Sequence, residues 1–235
     1  MRYALLTTDP ASGARRGRIR TAHGSVDTPV FMPVGTQATV KTLEPRDLYA
    51  ETCEILLCNT YHLYLRPGHE VVKELGGLHR FMGWNRAILT DSGGFQVLSL
   101  AERRRIGEDG VVFRSHLDGS RHVLTPEKAV EIQLALGVDI LMALDECPPH
   151  DADAAYHQAS MERTLRWAAR CRAAHPSDEP ALFGIVQGGT FPDLRARSAE
   201  ETRRIGFSGY ALGGLGIGEG PTAMYATVED TTALL

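Results

Sequence analysis

The stretch AILTDSGGF (residues 87–95) runs from three apolar residues through Thr90 to a carboxylate, Asp91, and then to Ser92 and two glycines. A near-continuous apolar run of this length suits a strand buried on both faces, as in a parallel sheet. The carboxylate and the glycines mark a corner where that strand stops. The same grammar recurs in TPVFMPVGT (28–36), EILLCNTYHL (54–63), VDILMALDEC (138–147), ALFGIVQGG (181–189) and GYALGGLGIG (209–218).

Helical stretches separate the later runs. Thr125-Pro126-Glu127 reads as N-cap, first-turn proline and early acid, so a helix should run to Leu136 with Gly137 as its C′ residue. Residues 152–174 form the longest helical candidate, with Ala155, Ala159, Leu165 and Ala169 partly in register. Pro192 and Pro221 each follow a corner and are placed to open further helices. VVFRSHLDGSRHVL (111–124) breaks the rhythm and reads as a β-hairpin insertion around Asp118-Gly119. Repeated strand–helix units predict an α/β fold with a parallel sheet. Polar corners at Asp91, Asp145, Gln187 and Gly214 favour a (β/α)8 TIM-barrel type, in which such corners converge on one face. A doubly wound sheet, which gathers its site at one switch point, is the alternative.

Of the 235 residues, 43% are hydrophobic and 23% charged, an ordinary globular balance. No apolar run is long enough to span a bilayer, and the start is too short in apolar residues for a signal peptide. These features predict a soluble, cytoplasmic protein with no membrane partner. The net charge of −4 argues against a dedicated nucleic-acid binder, although RRGRIR (15–20) and RRR (103–105) are locally basic. Solvated faces are the plain reading of those runs. Cys53, Cys58, Cys147 and Cys171 form no CxxC pair, so neither a disulfide nor a structural zinc site is expected, and no metal ligand is assigned.

Asp91 at a strand end either faces a ligand or caps the next helix. On the ligand reading, Gly93 and Gly94 admit a planar or anionic group, Phe95 lies against it and Gln96 bonds nearby. Asp145 repeats the design in LMALDECPP (141–149), where Pro148 and Pro149 stop the strand. Cys147 beside it reads as a buried small hydrophobe rather than a nucleophile. Gln187 carries both a donor and an acceptor, which suits a purine edge, or else it ties down a loop. GGLGIGEG (213–220) fails the dinucleotide pattern because Glu219 occupies the third glycine position. Backbone at Gly214 and Leu215 remains available to a ligand edge.

Eight pieces in order resemble the bacterial tRNA-guanine transglycosylase (queuine tRNA-ribosyltransferase) family. They are FMPVGTQATVK (31–41), NTYHLYLRPG (59–68), ILTDSGGFQV (88–97), HLDGS (116–120), LTPE (124–127), DECPP (145–149), GIVQGG (184–189) and GGLGIGEG (213–220). The resemblance implies a (β/α)8 barrel that removes guanine from the wobble position, 34, of tRNAs with a GUN anticodon. Bacterial members insert preQ1, a queuosine precursor, by double displacement. Carried over by position, Asp91 is the proton acceptor and also contacts the base. Phe95 is the stacking platform, Asp145, Gln187 and Gly214 read the base edge, and Leu215 adds a backbone contact. Ser92, Gly93 and Gly94 complete the substrate-binding set. Cys147 and Ile217 match the bacterial pocket, and Glu219 supports its loop. Gly216 departs from the usual Ser or Ala.

The family's seventh and eighth strands, its nucleophilic aspartate and its zinc site of three Cys and one His match nothing in this chain. Residues 1–235 therefore read as one incomplete barrel domain, truncated after the sixth strand–helix unit, that does not turn over alone. No zinc is expected here, and the family's homodimer, formed partly through its zinc-bearing region, is not carried over to this chain. The competing readings are a non-catalytic partner subunit of such an enzyme and an unrelated barrel glycosidase.

Overall fold

The computed structural model describes residues 1–100 and 104–235. The chain opens on an antiparallel meander, β1 (Arg2–Thr8), β2 (Arg15–Thr21) and β3 (Gly24–Thr28). Next come β4 (Val34–Gly35), α1 (Pro45–Ala50), β5 (Ile55–Cys58), α2 (Thr60–Leu65), α3 (His69–Glu74), α4 (Leu78–Met82) and β6 (Ala87–Thr90). After α5 (Gly94–Leu100), a second antiparallel sheet follows, made of β7 (Arg104–Gly107), β8 (Gly110–Arg114) and β9 (Arg121–Leu124). The remainder alternates: α6 (Pro126–Leu136), β10 (Ile140–Met142), α7 (Ala154–Ala174), β11 (Ala181–Val186), α8 (Pro192–Ile205), β12 (Gly209–Leu212) and α9 (Pro221–Thr232).

Six strands form the main sheet in the order β4-β5-β6-β10-β11-β12. The pairs β4–β5, β5–β6, β6–β10 and β11–β12 are parallel. The order follows the chain without a reversal. A doubly wound sheet must reverse at its switch point, so that alternative is set aside.

The chain divides into two compact units. The first comprises Met1–Asp91, Glu131–Leu141 and Ser177–Ala181. Its core holds Ile55, Leu56, Leu63, Val72, Leu78 and Ile88, all buried. Trp84 is buried there too; it stacks on Tyr49 and donates its Nε1–H to the carbonyl of Ala87 at 3.2 Å. The second comprises Ser92–Val130, Met142–Pro176 and Leu182–Leu235. Phe113, Leu124, Met161, Trp167 and Cys171 are buried in its core. Burial there pushes the Cys171 thiol up to about 12.

Several sequence expectations hold. The helix at 126–136 ends on Gly137 with φ 69°, and Pro192 and Pro221 open α8 and α9. The hairpin lies at β8–β9, with Arg114 opposite Arg121 across a connection that contains Asp118-Gly119. Others need correction. In the run 28–36, Thr28 only ends β3, the parallel strand is just Val34–Gly35, and Phe31 is 81% exposed. Pro29 and Pro33 carry no N–H for a ladder, so the run cannot pair as a central strand. The run 54–63 is strand to Cys58 only; Asn59 then caps α2, which carries Tyr61 and Leu63 inward. β12 is half-buried along its whole length, not fully covered.

In α7, Ala155, Ala159 and Ala169 face outward. The buried stripe is His157, Ser160, Met161, Thr164, Leu165, Trp167, Ala168 and Cys171. Small polar residues on the inner face hid it from a hydrophobic count. The basic run 15–20 lies on β2, where Arg16 and Arg18 both grip Asp27. Of the run 103–105, Arg103 lies outside the described residues, and Arg104 and Arg105 begin β7.

Asp139, just before β10, organises the first unit. Its backbone N–H donates to the carbonyl of Ile88, and its carboxylate accepts the Ile88 N–H at 3.0 Å. His23 Nδ1 lies 2.9 Å from one carboxylate oxygen. His79 Nε2 lies 3.2 Å from the other, off the line of a good hydrogen bond. Burial alone would push this carboxyl up, but the two imidazoles and the Ile88 N–H outweigh it and hold the carboxyl well below its ordinary range. A depressed carboxyl contributes stability that is full above the unfolded value near 3.8 and is lost as the pH falls through the folded value. Asp139→Asn should therefore lower unfolding stability at pH 7 by roughly 1.5–3 kcal/mol. Urea titrations at stepped pH should show the gap between the two proteins closing below about pH 4.

Candidate functional site

In the first unit, Asp91 follows the C-terminal end of β6. Its Oδ1 accepts the Thr60 N–H at 2.9 Å and its Oδ2 accepts the Asn59 Nδ2–H at 2.5 Å. The Thr60 hydroxyl donates to the Asp91 carbonyl at 2.6 Å. The corner after β5 thus clamps the corner after β6. Asn59 and Thr60 were not singled out from sequence for this role. Their signal was an Asn-Thr pair directly after an apolar run.

In the second unit, Ser92, Asp145 and Gln187 form one buried network. The Ser92 hydroxyl donates to Asp145 Oδ1 at 3.1 Å, and Gln187 Nε2 donates to Asp145 Oδ2 at 2.7 Å. All three residues are at least nine-tenths buried. The carboxylate fixes the amide's orientation, because a reversed amide would set oxygen against oxygen. Gln187 Oε1 is left buried with no hydrogen-bond partner. Such an orphaned acceptor is costly unless something else fills it.

Glycines shape this network. A Cβ on Gly94 would lie 2.5 Å from the Asp145 carbonyl oxygen. The missing side chain therefore makes room for the protein's own backbone, where the sequence suggested room for a ligand. A Cβ on Gly213 would lie 2.5 Å from Gln187 Nε2, and one on Gly214 2.6 Å from Gln187 Oε1. Gly214 also sits at φ 69°, a left-handed conformation that favours glycine. Gly93 has φ 82°, and Leu215 is half-buried beside Gly214.

Phe95 is 49% exposed, so its ring is open to stacking. With Cys147, Ile217, Arg104, Pro148 and Tyr156 it lines a cavity of about 420 Å³. Burial, reinforced by Asp145, pushes the Cys147 thiol up to about 12, which keeps it neutral and unsuited to nucleophilic attack. Glu146 is buried and held by the Tyr156 hydroxyl at 2.8 Å and by Arg163. Glu219 turns its carboxylate into its own loop, accepting the N–H groups of Gly216 and Ile217. Those backbone bonds lower its pKa. Those two loop donors are thereby occupied from within, which disfavours phosphate there.

Two clusters gather ligand-type atoms within 4.8 Å: His23, His79 and Asp139, and His69, Glu70 and Glu131. Among the described residues no cysteine joins either cluster. Neither fits the three-Cys, one-His zinc set that the sequence resemblance implies. The first is already knit together by the hydrogen bonds of Asp139.

The class defined so far is an α/β protein with a sequentially ordered parallel sheet. Its strand corners present two carboxylates, an amide and an exposed aromatic ring. The family described as queuine tRNA-ribosyltransferase matches residues 9–235, and the chain belongs to that family. Proteins named queuine tRNA-ribosyltransferase are 60% identical in Symbiobacterium thermophilum, 57% in Pelotomaculum thermopropionicum and 58% in Bacillus licheniformis. These matches cover 99–100% of this chain and 59%, 63% and 62% of the relatives, so the chain spans about six-tenths of their length. No described helix is long and apolar enough to cross a membrane.

The Gly94 contact gives a direct test. Gly94→Ala should destabilise the chain by about 1–3 kcal/mol through overpacking against Asp145. Gly107→Ala, where an added Cβ meets nothing within 4 Å, serves as the control in the same thermal melts. Equal melting temperatures for the two variants would contradict the close approach.

Proposed function

We propose that this chain carries the base-binding and proton-handling residues of a tRNA-guanine transglycosylase, built on a (β/α)8-type barrel. The observation that carries the reading is the Asp145–Gln187 pair with its orphaned amide oxygen. Guanine's pairing edge offers two neighbouring N–H donors beside one carbonyl oxygen. A carboxylate accepts those donors, while a primary amide offers both a donor and an acceptor. Gly214 and Leu215 add backbone groups at the same edge, and Phe95 supplies a stacking face.

Replacing a base at C1′ with retention takes two displacements, through a covalent ribosyl–enzyme intermediate. Asp91 moves the proton between the leaving or entering base and the protein, held in place by Asn59 and Thr60. The attacking nucleophile is assigned to no residue of this chain. The substrate is a tRNA with a GUN anticodon, whose wobble guanine leaves a single-stranded loop at small energetic cost. The incoming base is preQ1, and the reaction belongs where tRNA is, in the cytoplasm. Asp91, Asp145 and Gln187 are all present, which disfavours a non-catalytic partner subunit. An unrelated glycosidase has no use for a purine-edge amide.

Isothermal titration should show guanine binding to the folded chain and adenine failing to bind, since adenine presents an amino group where guanine has its carbonyl. Asp145→Asn should weaken guanine binding by roughly tenfold to a hundredfold. A folded chain indifferent to guanine would sink the reading. Where exchange of labelled guanine into tRNA is measurable, Asp91→Asn should lower its rate by roughly 10²–10⁴-fold.

A further inference from the structure

Arg195 is 1% exposed, a rare state for an arginine, and its guanidinium forms no ion pair with a carboxylate among the described residues. Instead it donates to three backbone carbonyls: Nε to Gly189 at 2.6 Å, Nη1 to Val186 at 2.8 Å and Nη2 to Gly213 at 2.7 Å. Burial brings its pKa down to about 10, so it stays charged at neutral pH. A buried cation held only by carbonyls is expensive unless its fixed fork of donors does something a smaller apolar side chain would not.

The placement supplies that role. Val186 and Gly189 bracket Gln187, and Gly213 precedes Gly214. One turn along α8, Ser198 Oγ accepts the Gln187 N–H at 3.0 Å. The helix therefore grips the Gln187 corner on both sides and ties it to the corner after β12. The gap so fixed is narrow, because a Cβ on either Gly213 or Gly214 would strike the Gln187 amide. We propose that Arg195 is a positioning residue for base recognition. Its three-carbonyl clamp sets the spacing between the Gln187 amide and the Gly213–Gly214 backbone, and so decides which heterocycle edge fits between them.

This inference rests on the purine reading of the site, and the test separates the two. Arg195→Lys keeps the charge but loses the planar fork, so it can satisfy fewer of the three carbonyls. Guanine affinity, measured by titration calorimetry on the full 235-residue chain, should fall about tenfold or more. Amide hydrogen exchange should quicken at residues 187–189 and 213–216 while the rest of the chain keeps its protection. Unchanged guanine affinity together with unchanged exchange at those segments would overturn the clamp and leave the purine site standing. Exchange that quickens throughout the chain would also overturn it, by showing a merely structural arginine. If the unsubstituted chain ignores guanine, the purine reading fails, yet selective quickening in Arg195→Lys would still support the tether between the two corners.

Discussion

A carboxylate buried just past the end of a parallel strand must be matched by donors from its neighbours, and the candidate site is organised around one such group, Asp145. One oxygen takes the Ser92 hydroxyl and the other takes the Gln187 amide. Each bond is charge-assisted and shielded from water, so breaking either leaves a buried charge short of a partner. The corners that follow β6, β10 and β11 are joined through this single side chain. Asp139 does comparable work in the first unit, where it joins His23, His79 and the backbone of Ile88.

Such matching needs backbones to approach closely, and glycine permits it. Gly94 lies under the Asp145 carbonyl, and Gly213 and Gly214 lie against the Gln187 amide. Arg195 then removes the remaining freedom by bonding carbonyls from both of the later corners. Preorganisation of this kind suits a site that must accept one planar heterocycle and reject near relatives. An unfilled acceptor costs little to a ligand that brings a donor and much to one that does not. Glu219 belongs to the same economy of donors, since it occupies loop N–H groups that would otherwise attract an anion.

The family match agrees with the resemblance drawn from the sequence. What those residues touch was less legible. Asp91 was weighed as a ligand-facing group or a cap for the next helix, and its carboxylate also takes the Asn59 and Thr60 donors of another corner. Gly94 was weighed as room for a ligand, yet that room is filled by the protein's own backbone. Ala155, Ala159 and Ala169 were read as partly in register with Leu165, yet they are exposed, and the inner face includes the polar His157, Ser160 and Thr164.

By itself the sequence determined the α/β class, the alternation of strand and helix, the hairpin insertion and the identity of the corner residues. These follow from local signals: apolar runs, caps, prolines at helix starts and a turn dipeptide. Tertiary structure alone decided the sequential strand order, the exposure of Phe31 and the clamp formed by Arg195. It also left the Gln187 amide oxygen without a partner. Those depend on which donors and acceptors distant segments bring within 3 Å of each other. Residue type records the capacity to hydrogen-bond, and only the folded chain fixes which partner takes it up.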